Sequence, residues 1–240
     1  MNIALIGYGK MGKVIEEIAV ERGHTISARI NSTNPIDIAD LNDTDVAIEF
    51  TQPELAVRHI EHCLLRGIPI VIGTTGWLDS MDQIVSMTQE RNGSLLHASN
   101  FSIGVNVFFE VNNRLAELMS GKSGYSVSLE ETHHIHKLDA PSGTAITLAN
   151  GILEHNSDYI SWVHGEENKP HVGQFQLPVI SYRKPEVPGT HTITYSSEID
   201  TITITHEAHN RKGFALGAVI SAEWILGKKG VFTIKDVLNF

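Results

Sequence analysis

Apolar residues in the N-terminal section fall in short runs divided by helical stretches. Asn2-Ile3-Ala4-Leu5-Ile6 predicts a strand, and Val14, Ile15, Ile18 and Ala19 recur at helical spacing up to Gly23. Thr25 to Ile30, Val46 to Thr51 and Pro69 to Gly73 predict further strands, with a helix from about Pro53 to Arg66 between the last two. Alternating strand and helix implies a parallel sheet that binds ligands at the carboxyl ends of its strands.

The pattern changes from Ser102. A helix through about Leu118 is followed by a strand, Tyr125 to Thr132, with Val127, Leu129 and Glu131 on one face and Ser126, Ser128 and Glu130 on the other. Ala145, Leu148, Ala149, Ile152 and Leu153 predict a helix opening at Ser142, while Pro178 to Lys184 and His191 to His206 read as extended, Ser197-Glu198-Ile199-Asp200 holding a turn. A last long, apolar helix begins at Arg211-Lys212-Gly213 and is expected to pack back on the first section, before a short capped helix over Thr233 to Leu238. The fold class is therefore α/β: an N-terminal Rossmann-type dinucleotide-binding domain of residues 1–100 plus 212–240, and a second α+β domain, 101–211, on an open mixed sheet.

Two stretches carry chemistry. The first strand runs into Gly7-Tyr8-Gly9-Lys10-Met11-Gly12, where Gly7 permits a tight turn, Gly9 admits a pyrophosphate to the backbone and Gly12 lets the helix pack near the strand. The second strand should end in an acidic residue that binds the ribose hydroxyls of NAD, but Asn31 and Ser32 stand there. An amide can bond a ribose hydroxyl without repelling a 2′-phosphate, which favours good use of NADPH beside NADH. Arg29 either reaches that phosphate or is a solvated strand residue pointing away.

The second stretch is His133-His134-Ile135-His136-Lys137-Leu138-Asp139-Ala140-Pro141-Ser142-Gly143-Thr144-Ala145. Ser142, Gly143 and Thr144 fall at a helix start whose backbone N–H groups have no helical partner, and Gly143 leaves room for a carboxylate or phosphate to approach. Three histidines and Lys137 add movable protons and positive charge, which together suggest acid–base chemistry on an acidic small molecule. His134 and His136 would share one side of a strand, as metal ligands do, but no third and fourth ligand is apparent nearby and no metal is expected. Taken singly, each of these residues reads better as a surface histidine ending a strand or an ordinary helix cap; the run as a whole is harder to dismiss.

Glu131-x-His133-x-x-x-Lys137-x-Asp139-x-Pro141-Ser142-Gly143-Thr144-Ala145 closely resembles the signature of the 4-hydroxy-tetrahydrodipicolinate (dihydrodipicolinate) reductase family, although Ser128 stands where the family pattern has a further glutamate. Gly73-Thr74-Thr75-Gly76, Ala98-Ser99-Asn100-Phe101-Ser102-Ile103-Gly104-Val105-Asn106 and His206-x-Ala208-x-x-Arg211-x-x-Phe214-Ala215-x-Gly217 resemble its other blocks, in family order. The resemblance implies reduction of a cyclic dicarboxylate by NADPH or NADH in lysine biosynthesis through diaminopimelate. It gives His133 the proton donor and acceptor role, with Lys137 assisting. It makes His134, Lys137, Ser142, Gly143, Thr144 and Arg211 substrate contacts, and Gly73, Thr74, Thr75, Ala98, Ser99, Asn100 and Phe101 cofactor contacts beside the glycine turn. It also implies a homotetramer joined through the second domain.

The formal net charge of −10 disfavours nucleic acid. One cysteine, Cys63, excludes an intrachain disulfide, and no apolar run reaches membrane-spanning length, so a cytoplasmic protein is expected. Two rivals remain: another two-domain NAD(P)-dependent dehydrogenase, and a regulator that senses NADPH without turnover.

Overall fold

In the computed structural model, which describes residues 1–168 and 170–240, the N-terminal section forms β1 (Asn2–Ile6), α1 (Lys10–Glu21), β2 (Thr25–Ile30), β3 (Val46–Glu49), α2 (Pro53–Leu65), β4 (Ile70–Ile72), α3 (Met81–Glu90) and β5 (Ser94–His97). Pro53 opens α2, where a missing N–H costs nothing, and Cys63 is buried on its inner face. The chain then runs through α4 (Ile103–Met119), β6 (Ser126–His133), α5 (Gly143–His155), β7 (Ser161–Glu166), β8 (Gln176–Arg183), β9 (Gly189–Ser196) and β10 (Thr201–Ala208). It closes with α6 (Lys212–Ile225), β11 (Gly230–Thr233) and α7 (Ile234–Leu238).

Two compact units result, Met1–Asn106 with Arg211–Phe240, and Val107–Asn210. The first holds an all-parallel sheet in the order β11-β5-β4-β3-β1-β2. Its central strands are buried on both faces, which accounts for their unbroken Val, Ile and Leu composition. One face packs Ile3, Leu5 and Ile48 against α1 and α6; the other packs Ile6, Ile70 and Ile72 against α2 and α3. Gly217 is required in α6, because a Cβ there would stand 1.7 Å from the Phe101 carbonyl oxygen.

The second unit carries a mixed sheet in the order β10-β9-β6-β8-β7, antiparallel at β10–β9 and β9–β6 and parallel at β6–β8 and β8–β7. Val127, Leu129, Val179, Ile193 and Tyr195 form its buried face with Leu148, Ala149 and Ile152 of α5 and Phe108 and Ala116 of α4. Each Val, Leu, Ile or Phe among them contributes about 1.5–3 kcal/mol of transfer free energy on burial. The expected turn at Ser197 to Asp200 is present, with Ser197 N–H bonded to the Asp200 carbonyl at 3.0 Å.

The strands β7 and β11 lay outside the sequence reading. β7 has only Trp162 and Val163 as an apolar pair before His164-Gly165, and β11 is four half-buried residues whose pairing is supplied by β5. Neither carries a period of its own.

Candidate active site

Period-two alternation along β6 buries Val127, Leu129, Glu131 and His133 on one face, so the apolar row ends in two polar residues. Strand pairing fixes their neighbours. Glu131 pairs with His191 of β9 on one side and Ser181 of β8 on the other, and His133 pairs with Arg183. Glu131 is fully buried, with Ser181 Oγ donating to Oε1 at 2.7 Å and the Ser142 N–H reaching both oxygens at 3.0 and 3.2 Å. Around it stand His133 Nδ1 at 3.3 Å, Arg183 Nη1 at 3.5 Å and His191 Nε2 at 3.6 Å. His133 Nδ1 is at ion-pair distance but off the line of a good hydrogen bond. Burial alone would raise the Glu131 pKa; the close imidazoles of His133 and His191 and the hydrogen bonds from Ser142 and Ser181 outweigh it and hold the carboxyl far below the usual range. Burial pushes the His191 pKa down, against the Glu131 contact, so this imidazole favours its neutral form.

The helix start follows. Ser142 caps α5, its Oγ accepting the Ala145 N–H at 3.2 Å and meeting His191 Nε2 at 3.2 Å. The next N–H groups, those of Gly143 and Thr144, have no acceptor among the described residues, and α5 has no acidic residue in its first turn. A Cβ on Gly143 would meet open space. That end of the helix therefore offers two unclaimed donors and the positive end of the dipole to an anion.

Between strand and helix runs the loop 134–141. Lys137 Nζ lies 2.8 Å from both Asp139 oxygens, and this bond keeps the Asp139 carboxyl below its usual range. Arg183 clamps the loop, donating to the carbonyls of Asp139 at 2.6 Å and Lys137 at 3.4 Å.

Three expectations change here. His134 and His136 do not share a strand: β6 ends at His133, and their rings sit 6.3 Å apart in the loop. Lys137 likewise lies beyond the strand, and its ammonium is held by a carboxylate instead of standing free. Ser142, expected as a substrate contact, is buried with both polar groups engaged inside the protein. The ligand atoms of Glu131, His133 and His191 lie within 4.8 Å of one another, near enough for a metal. Arg183 supplies positive charge beside Glu131, and the neutral donors Ser142 N–H and Ser181 Oγ already occupy its oxygens.

In the first unit, β1 runs into the glycine turn and Gly9 caps α1, whose first turn contains no acidic residue. Gly7 has φ +98°, and a Cβ on Gly12 would stand 2.3 Å from the Gly7 carbonyl oxygen, so those two glycines serve the turn and the close helix. A Cβ on Gly9 meets nothing, which leaves that backbone open to a ligand. Beside it lies an open cleft of about 330 Å³, lined by Gly9, Lys10, Met11, Gly73, Thr74 and Thr75 and also by Phe50, Thr51 and Pro53, which the sequence reading did not include. Thr74 Oγ1 accepts the Thr51 N–H at 2.7 Å and so joins the ends of β3 and β4. These residues fit a dinucleotide: glycine backbone and helix dipole for phosphate, an apolar wall at Phe50 for a ring.

The other expected cofactor residues spread around this turn. Arg29 is exposed, bonded through its guanidinium to Glu16 and stacked over Tyr8, whose hydroxyl also bonds Glu16. Asn31 Oδ1 accepts the N–H groups of Thr33 and Asn34, both at 2.9 Å, leaving its amide nitrogen for a ribose; Ser32 beside it is exposed. Ala98 and Phe101 have buried side chains and Asn100 bonds the Ser102 N–H, so from Ala98 and Phe101 only backbone can reach a cofactor, with Ser99 exposed between them. Trp77 is buried, bonded to the Thr74 carbonyl. Arg211 is the exposed N-cap of α6 and belongs to the first unit, whereas the other expected substrate residues belong to the second. Sequence reading missed His191, Ser181 and Arg183; the buried-face position of Glu131 was the signal that partners must surround it.

Family models for the N-terminus and C-terminus of dihydrodipicolinate reductase match residues 1–101 and 104–238. A 4-hydroxy-tetrahydrodipicolinate reductase of Christiangramia forsetii is 50% identical over 100% of this chain and 98% of its own length. One of Neisseria meningitidis is 33% identical over 93% of this chain and 84% of its own. A dipicolinate-bound dihydrodipicolinate reductase from a Paenisporosarcina species shares the fold, with a TM-score of 0.77 at 22% identity over 97% of each chain. With both family models spanning nearly all of its length and a half-identical relative end to end, the chain belongs to the dihydrodipicolinate reductase family.

Proposed function

We propose that this chain reduces (2S,4S)-4-hydroxy-tetrahydrodipicolinate to tetrahydrodipicolinate with NAD(P)H, in the diaminopimelate route to lysine, the first unit holding the cofactor and the second the substrate. The observation that carries this reading is the meeting, in the second unit, of a buried Glu131–His133 pair with a helix start that has unclaimed N–H groups. A cyclic dicarboxylate needs both an anion site and a proton donor.

The bound nicotinamide supplies the hydride. The protein does the rest. Gly143 and Thr144 N–H groups, His134 and Lys137 take the substrate carboxylates, which compete with Asp139 for the ammonium; Arg211 is a further carboxylate partner. The 4-hydroxyl leaves as water with a proton from the neighbouring carbon, which leaves a double bond conjugated with the ring imine; hydride then adds to the carbon the hydroxyl left and a proton from His133 returns to the neighbouring carbon, so each turnover consumes one reduced cofactor and one proton. Lys137 assists this transfer. Gly7, Gly9 and Gly12 carry the pyrophosphate turn, with Tyr8, Lys10 and Met11 around it; Asn31, Ser32 and Arg29 take the adenosine ribose end, and Thr74, Thr75, Ser99 and Asn100 the nicotinamide end.

Both NADPH and NADH serve, because Asn31 neither repels a 2′-phosphate nor loses a ribose hydroxyl. The chain acts in the cytoplasm as a homotetramer, the threonine-rich open face around Thr192, Thr194 and Thr205 providing the contact; light scattering tests that state. No helix among the described residues is long and apolar enough to cross a membrane. The deciding assay is the absorbance fall of NADPH on adding freshly generated substrate. No fall with either cofactor overturns the reading.

A further inference from the structure

Glu131 donates nothing to the reaction as proposed, yet four separate segments converge on it: hydrogen bonds come from Ser181 of β8 and from the Ser142 N–H at the start of α5, and His133 of β6, Arg183 of β8 and His191 of β9 stand at ion-pair distance. Three of these positions are direct consequences of strand pairing, since His191 and Ser181 flank Glu131 in register and Arg183 flanks His133. A fully buried carboxylate with this many donors is fixed in place, and whatever it touches is fixed with it.

Two of the groups it touches belong to the reaction. His133 presents Nδ1 to Oε2, which leaves Nε2, on the far side of the ring and above Gly189, to face the substrate. Ser142 gives its N–H to both oxygens, and that bond holds the cap whose next two N–H groups are the unclaimed donors of α5.

We propose that Glu131 is a positioning residue for the reduction, one carboxylate that sets the proton donor His133 and the carboxylate-binding turn of α5 in register with each other. The inference rests on the functional reading above. When the His133 imidazolium gives its Nε2 proton to the substrate carbon, the proton on Nδ1 stays and points at Glu131, so the carboxylate selects the tautomer left after transfer, and its negative charge stands beside the ring throughout. The slightly misaligned Nδ1 contact straightens as substrate is bound. Beside His133 stand His191 on β9, whose ring is 5.1 Å away, and Arg183, its register partner on β8; the charged groups of the loop that follows the strand, Lys137 and Asp139, are paired with each other. Among the described residues Glu131 is the carboxylate at ion-pair distance from the ring, and Arg183 stands on its other oxygen.

The test is steady-state kinetics of Glu131→Gln across pH, with cofactor titration by fluorescence. A lost orienting carboxylate in a comparable acid–base pair costs up to ~10⁴-fold in kcat; here the expectation is a fall of at least ~10²-fold, a raised KM for substrate, unchanged NADPH affinity, and a high-pH limb of kcat moved to lower pH. A structural role alone lowers the melting temperature without moving that limb. Glu131→Asp keeps the charge but draws it back by about one methylene, so it should lose kcat while its limb stays close to wild type; this variant serves where Gln does not fold. Wild-type turnover with kcat and limb retained in Glu131→Gln, or with kcat retained in Glu131→Asp, overturns the proposal. A wild-type chain that oxidises no cofactor overturns the functional reading instead.

Discussion

Gly189 lies against the ring of His133: a Cβ built there would stand 3.0 Å from Nε2 and 3.2 Å from Cδ2. The backbone at Gly189 needs no left-handed conformation, so glycine is required by the ring above it and by nothing else. Gly189→Ala should therefore push the His133 ring aside, lowering kcat by more than its modest loss of melting temperature explains, and bind NADPH normally. A displacement of about 1 Å at a reacting group can cost ~10²-fold. Stopped-flow or steady-state rates at saturating substrate check this; a wild-type kcat would mean that Nε2 is not the reacting atom.

Replacing His133 by Ala removes the proposed acid, and such losses typically cost ~10²–10⁴-fold in rate. Lys137→Ala should lower kcat and raise KM together, because the ammonium held by Asp139 is also offered to a substrate carboxylate. Neither change should alter NADPH affinity measured by direct titration. Loss of cofactor binding before loss of rate would reassign both residues.

The glycines of the first turn should separate fold from ligand. A valine at Gly9 meets open space, so Gly9→Val should melt like wild type without cofactor but lose the stabilisation NADPH gives. Gly12→Ala puts a methyl 2.3 Å from the Gly7 carbonyl oxygen and should lower the melting temperature itself. Thermal melts of both variants, with and without NADPH, distinguish the two effects. Equal melts in the absence of cofactor would contradict them.

Asn31→Asp keeps an acceptor for the Thr33 and Asn34 N–H groups, so the turn after β2 should survive. The added charge should repel a 2′-phosphate and strengthen the bond to a ribose hydroxyl, shifting preference towards NADH. The measurement is the ratio of dissociation constants for NADPH and NADH. A ratio that stays at the wild-type value places the ribose elsewhere.

Two buried groups tie stability to pH in one direction. The Glu131 carboxyl is held far below its ordinary 4.5, so its stabilisation is present above that pH and is lost as pH falls. His191 is pushed below its ordinary 6.5, so the fold favours the neutral ring and loses stability as pH drops through 6.5. The urea midpoint should be highest above pH 6.5, decline from there to 4.5 and decline more steeply below. Glu131→Gln should flatten the lower part of that curve. A midpoint constant from pH 7 to 4 would show that neither group changes its proton affinity on folding.

Much of the architecture is local and was therefore legible. The residues between Asn2 and Gly12 carry their own instructions: an apolar run, glycines where the turn needs φ above zero or close packing, then helical spacing, and β1, Gly7 and α1 appear where that pattern puts them. The alternation Val127, Leu129, Glu131 likewise put a carboxylate on the buried face of β6 before any partner was known. Strands such as β7 and β11 were missed because their pairing energy comes from β8 and β5, not from their own composition.

The amino-acid sequence by itself determined the alternating α/β start, the glycine turn, the order of the chemistry-bearing residues from His133 to Thr144 and the family to which that order belongs. Tertiary structure alone decided which groups surround Glu131. His191 and Ser181 lie 60 and 50 residues from it along the chain, and they meet it because β9 and β8 settle on either side of β6 in one register. It decided too that Ser142 turns inward and Lys137 is tied to Asp139. Local patterns state which face of a strand is buried; only the pairing of distant strands states what stands beside it, because a shift of one residue would turn every side chain to the other face.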